Sequence, residues 1–142
     1  MRLRSIILIL AISCLSPFAR ADEDNLVEVN PRMEKALNKA LKYLADIQNP
    51  DGSWSGNYGK NVGECSLVLM GFMSMGNLPG EGEYGHIVAK GVNWVLAQSQ
   101  NNGLIQYTNQ SKQAAVMYGH ALSTLMLSEV WGQTRRKDVG QV

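Results

Sequence analysis

The chain has 142 residues, 45% of them apolar, with thirteen basic side chains against twelve acidic ones. That is enough for one ordinary domain with a real core. Three of the basic residues, Arg2, Arg4 and Arg20, fall in a segment expected to be removed, which leaves ten against twelve and no basic stripe of the kind that nucleic acid requires.

That segment divides into a charged start at Arg2 and Arg4, an apolar stretch from Ile6 to Leu15, and Ala19-Arg20-Ala21 as an Ala-x-Ala cleavage signal. The apolar stretch is about half of the ~20 residues a bilayer span needs, so a signal peptide over residues 1–21 is predicted, the alternative being a retained anchor. Cleavage after Ala21 would export the chain, secreted or periplasmic, without a transmembrane span. A lipoprotein built on Cys14 fits poorly, because Ala11-Ile12-Ser13 makes a poor lipobox. Removal of Cys14 leaves Cys65 alone, which forms no internal disulfide. Residues 22–30 follow as an acidic tail opening Asp22-Glu23-Asp24, and Asn109-Gln110-Ser111 is a glycosylation triplet in a eukaryotic secretory pathway.

The first helix is predicted from Asn30 as N-cap and Pro31 at the first helical position. Met33, Leu37, Leu41, Leu44 and Ile47 recur at helical spacing, with Glu34, Lys35, Asn38, Lys39 and Lys42 mostly off that stripe. This is an outer, one-sided helix, ended by Asn49-Pro50-Asp51-Gly52. Cys65 to Met75 is apolar almost all the way round, as expected of an inner helix buried on every face. After the linker Gly80-Glu81-Gly82-Glu83-Tyr84-Gly85, the alternation returns. Tyr84 to Gln98 reads as a second outer helix and Lys112 to Trp131 as a second inner one.

Sliding the sequence by 51 residues places Ala40 on Gly91, Tyr43 on Trp94, Leu44 on Val95 and Gly52 on Gly103. The second copy loses the end of the pattern, with Ser99 in the place of Gln48 and Ile105 in the place of Trp54. Two helical hairpins follow, over residues 31–79 and 80–132, and Arg135-Arg136-Lys137-Asp138 leads toward a third. Helical arrays of this kind need about three units or more, so an N-terminal fragment of a longer protein is expected, with the remaining repeats as its partners.

Lys39-Ala40, Tyr43-Leu44, Gln48, Gly52 and Trp54 run as basic, small, two spacers, aromatic, Leu, three spacers, Gln, three spacers, Gly, spacer, Trp. This resembles the QW motif of the prenyltransferase/squalene-oxidase repeat group, found in squalene and hopene cyclases and, more distantly, in protein prenyltransferase β subunits. The resemblance implies an all-α fold, a partial α/α toroid. Lys39, Tyr43, Leu44, Gln48, Gly52 and Trp54, with Gly91, Trp94 and Gly103 in the second copy, are then residues of a structural clasp. Gln48 would bond turn backbone that has lost its helical partners, and the Trp54 ring would pack back over the hairpin.

Chemistry is less visible. The resemblance to the cyclases implies an Asp-x-Asp-Asp acid, and the nearest match, Asp22-Glu23-Asp24-Asn25, lies in the acidic tail. The resemblance to the prenyltransferases implies zinc held by Asp, Cys and His. Cys65 falls on the Cys, but Gly63 stands at the Asp position and His120 is about one turn out of register, so no metal and no cofactor are expected. A thioester of the kind found on this fold would need Gln where Val68 stands. Glu64, Cys65, Tyr118 and His120 form a candidate polar rim of the cavity. The plainer alternatives are a buried small hydrophobe for Cys65 and a hydrogen-bonded core residue for His120, while His86 is expected near the helix start or in solvent.

Met70, Met73, Met75, Met117 and Met126 suit core filling, or a cavity for a lipid-like ligand. Phe72, Trp94 and Tyr118 offer π faces to a cation, or ordinary packing. A glycan-cleaving toroid would show paired carboxylates, and these repeats show none. The expected function is an exported, non-catalytic scaffold or a segment binding an apolar or isoprenoid ligand. The alternative is part of an isoprenoid cyclase whose acid lies downstream.

Overall fold

A computed structural model of the chain describes residues 30–57, 59–107 and 116–141. The described residues from Arg32 onward belong to one compact unit. The predicted signal segment, most of the acidic tail, the 109–111 triplet and the expected helix start at Lys112 lie outside the described residues.

Four α-helices carry the fold: α1 Pro31–Asp46, α2 Val62–Ser74, α3 Gly85–Leu96 and α4 Val116–Thr134. A two-stranded antiparallel hairpin, β1 Ser55–Gly56 and β2 Gly59–Lys60, joins α1 to α2, and a 3-10 turn at Val139–Gln141 follows α4. The chain is thus all-α, with the helix, turn, helix order of two hairpins. No helix among the described residues is long and apolar enough to cross a membrane.

α2 begins at Val62, ahead of the apolar run that opens at Cys65, because Asn61 caps it. The Asn61 backbone is extended, and its Oδ1 accepts from the N–H groups of Gly63 at 2.7 Å and Glu64 at 3.3 Å. These are donors with no partner inside the helix. The short β-hairpin was not anticipated; its two strands are too short to offer an alternation to read.

α2 lies between α4 and α3. The α2–α4 contact is close because glycine faces glycine: a Cβ on Gly63 would sit 3.1 Å from Gly119 Cα. One turn further along, Ser66 Oγ and Ser123 Oγ hydrogen-bond at 3.0 Å in full burial. On its other side α2 sends Cys65, Leu69 and Phe72 toward the first turn and α3, where Val88, Val92 and Val95 complete a sealed core with Trp54. Buried Asn77 shapes the crossing between hairpins, its Nδ2 donating to the Phe72 carbonyl and its Oδ1 accepting from Tyr84 N–H at 3.0 Å.

Burial of the inner helices departs from expectation. α2 is not covered on every face, since Leu67 is 49% exposed, and on α4 Leu125 is 51% exposed and Tyr118 66%. Among the described residues each inner helix packs against one other inner helix, so the face pointing away from the other layers meets solvent. α1 differs from its predicted stripe for a similar reason. Leu41 is buried and Leu44 half-buried, whereas Leu37 and Ile47 are exposed.

Candidate functional site

The first turn is a hydrogen-bonded knot. Asn49 N–H donates to the Ser53 carbonyl and Gly52 N–H to the Asn49 carbonyl, both at 2.9 Å. Asp51 Oδ1 accepts from Ser53 N–H and, at 2.6 Å, from Ser53 Oγ. Asn49 Nδ2 donates to Ser53 Oγ and Ser55 Oγ, and Lys60 closes the knot by pairing with Asp51. Burial works to raise the Asp51 pKa, but the bonds from Lys60 and Ser53 outweigh it and hold the carboxyl at about 2.

Gln48 ties this knot to the next hairpin. Its Nε2 donates to the Gly52 carbonyl at 3.0 Å and to the Ile87 carbonyl of α3 at 2.9 Å. Gly52, at φ +92°, leaves no room for a side chain, because a Cβ there would lie 2.7 Å from the Lys90 carbonyl carbon and closer still to its oxygen. Gly91 matches it from the opposite side, where a Cβ would come 2.6 Å from Leu69 Cδ2 and 3.1 Å from the Trp54 ring. Two glycines therefore let a turn and a helix approach within backbone contact.

Trp54 fills the centre. Its ring is buried, packs at 6.3 Å against Phe72, and donates from Nε1 to the Leu44 carbonyl at 2.7 Å. That carbonyl is among the last four of α1, which have no partner further along the helix. Trp54 N–H points at Cys65 Sγ, 3.2 Å away. Lys39 and Tyr43 of the same motif are exposed, so the clasp is made by its second half.

The second copy repeats the backbone of the turn and not its grip. Gln100 N–H donates to the Leu104 carbonyl and Gly103 N–H to the Gln100 carbonyl, again at 2.9 Å. Asn102 Oδ1 accepts from Leu104 N–H as Asp51 does from Ser53 N–H. Ile105 is buried in the place of Trp54, and its N–H donates to His120 Nδ1 at 3.3 Å. Cys65 and His120 thus hold the same post, each receiving the N–H of the last motif residue. Trp94 packs against Tyr107 with ring centroids 5.5 Å apart. Gln98 donates to the Trp94 carbonyl of its own helix.

The four rim candidates sit in different surroundings. Cys65 is fully buried, and burial pushes its thiol up to about 11. That is the behaviour of a small core side chain rather than a nucleophile. His120 is half-buried against the second turn, Tyr118 is exposed, and the half-buried Glu64 lies against Gly56 of the β-hairpin. Among the described residues no group of three or more His, Cys, Asp or Glu side chains is placed to hold a metal ion.

The squalene-hopene cyclase C-terminal domain model matches residues 19–132, more than half of the chain. The chain belongs to that family. The match covers both hairpins and both turns. No solved structure matches this chain. Within the family, what these residues display is the clasp that binds hairpin to hairpin, and beside it the exposed apolar face of the two inner helices. Sequence reasoning named Gln48, Gly52 and Trp54 but not their receivers, Ile87 and Lys90. The repeat offset carried no signal for which element the turn would grip.

Proposed function

We propose that this chain is an exported, non-catalytic segment of a cyclase-type toroid that presents an apolar concavity to an isoprenoid-like ligand. One observation carries the reading: the inner helices turn an apolar, solvent-open face away from the outer layer. At about 100° per residue Leu67, Met70 and Ser74 share one side of α2, and Leu125 with Glu129 shares one side of α4. Between them lies a groove of about 250 Å³ lined by Met70, Met73, Ser74, Leu125, Glu129 and Gln133. Methionine and leucine walls adapt to a flexible hydrocarbon without demanding its shape, while Ser74, Glu129 and Gln133 add polar groups to the same lining.

The family match favours a second reading, in which the same face belongs to a working isoprenoid cyclase that draws its acid from residues other than these. Radiolabelled squalene in detergent micelles, measured by equilibrium dialysis against the protein and against Leu125→Glu, tests the first reading. Saturable binding without chemical change, lost in the variant, is expected. Absence of saturable binding would remove the ligand, and cyclic products by gas chromatography would replace the scaffold reading with the cyclase. N-terminal sequencing of the exported chain should begin at Asp22; a chain still carrying Met1 would refute export by cleavage.

A further inference from the structure

The groove between α2 and α4 changes character along its length, and its lining comes from these two helices alone. Gly63 faces Gly119, and Ser66 bonds Ser123, so the helices run side by side in the same direction. Continued at that register, Met70 stands beside residues 126–127 of α4 and Ser74 beside residues 130–131. Leu125 and Met70 therefore mark one end of the groove, while Ser74, Glu129 and Gln133 gather toward the other, with the buried Met73 between the walls. Leu125 and Gln133 are a little over two helical turns apart, about 12 Å.

The polar end is built mainly of acceptors. As a carboxylate Glu129 accepts and donates nothing, and among the described residues it forms no ion pair. The Ser74 hydroxyl donates to the Gly71 carbonyl at 2.8 Å, which leaves its lone pairs to offer. Both helices end on this side, α2 at Ser74 and α4 at Thr134, and their C-terminal ends carry partial negative charge. Neither has a basic residue in its last turn. None of Arg135, Arg136 and Lys137, which follow α4, belongs to the lining; Arg136 is bonded instead to Asp138 and to Asn93 of α3.

We propose that the ligand of this groove is an amphiphile, an isoprenoid-like chain along Leu125 and Met70 with a hydrogen-bond-donating head, an amine or an alcohol, held by Glu129 beside Ser74 and Gln133. A diphosphate head brings negative charge and acceptors, and would meet like charge with no donor but the Gln133 amide. At about 250 Å³ the groove falls below the roughly 300–1,000 Å³ of pockets that enclose a whole ligand, so it takes the head and the first units of a chain. This choice of head rests on the ligand-binding reading above.

Equilibrium dialysis of radiolabelled geranylamine, geraniol and geranyl diphosphate against the full chain tests it, because the three share one chain and differ in the head. Geranylamine should bind tightest, geraniol next, and the diphosphate weaker than the amine by about tenfold or more. Glu129 is exposed, so its variants should keep the fold, as circular dichroism can verify. Glu129→Lys should reverse the order of amine and diphosphate, and Glu129→Gln should remove the lead of the amine over the alcohol. Diphosphate binding as tight as that of the amine, or an unchanged order in both variants, would overturn the assignment of the head, while saturable squalene binding would leave the ligand-binding reading standing. Failure of squalene and of all three probes to bind would overturn both.

Discussion

Gly52 and Gly103 are the same residue of the same turn, and replacing each by alanine separates the backbone requirement from the inter-hairpin contact. Their φ angles are +92° and +81°, so either substitution places a Cβ in the left-handed region at a cost of about 1–2 kcal/mol. At Gly103 a Cβ would find open space, and that cost is the whole effect. At Gly52 the Cβ would run into the Lys90 peptide, and the turn would have to part from α3 by about 1 Å to regain ordinary contact. The bond from Gln48 Nε2 to the Ile87 carbonyl, now 2.9 Å, would then stretch beyond hydrogen-bonding range. Part-buried polar groups left in that state cost about 1–3 kcal/mol more. Urea unfolding followed by tryptophan fluorescence should therefore show losses of about 1–2 kcal/mol for Gly103→Ala and about 2–5 kcal/mol for Gly52→Ala. Equal losses would refute the idea that the turn is pressed against the next hairpin.

Trp54→Ala should cost about 3–5 kcal/mol, as for a buried aromatic ring, and an unchanged melting temperature would deny the ring its central role. Trp54→Phe keeps most of the packing but removes the donor to the Leu44 carbonyl, for about 1–3 kcal/mol; a loss as large as that of Trp54→Ala would mean that the hydrogen bond dominates. The Asp51 carboxyl is held at about 2 when folded, against an ordinary 3.8. Its contribution is therefore fully present above the unfolded value and disappears as pH falls through the folded one. The side chain is 42% exposed, so solvent screening holds the gain to about 1 kcal/mol or less. Asp51→Asn should be less stable than wild type at pH 7, with the gap closing toward pH 2; a gap independent of pH would refute the account.

Particular elements show where reading the chain succeeded. α1 begins at Pro31 as its capping signals imply, and the turn after it falls at Asn49-Pro50-Asp51-Gly52, because proline, glycine and an Asx side chain act on backbone within a few residues. The second turn keeps the same form through Gln100, Asn102 and Gly103, although its tryptophan and glutamine are gone. The β-hairpin and the Asn61 cap were missed. The cap had a signal, an Asn three positions ahead of Glu64 at the head of an apolar run, and the strands had none.

The candidate rim was the least legible. Cys65, Glu64, Tyr118 and His120 sit at comparable places in their hairpins, yet the inner helices align with a longer offset than the outer helices and turns do. Cys65 therefore pairs in role with His120. The difference is about one helical turn, enough to carry a side chain from one neighbour to another.

Hydrophobic period, capping residues and a repeated turn are properties of neighbours along the chain, and by themselves they determined that this protein is a pair of helical hairpins carrying a QW-type turn. What the turn grips was decided only in three dimensions. Gln48 reaches a carbonyl 39 residues away, and Gly52 and Gly91 matter because of what lies across from them. The exposed faces of α1, α2 and α4 exist because the surfaces that would cover them are contributed by no described element of these two hairpins. Such contacts depend on how hairpins stack, and spacing along one hairpin carries no record of it.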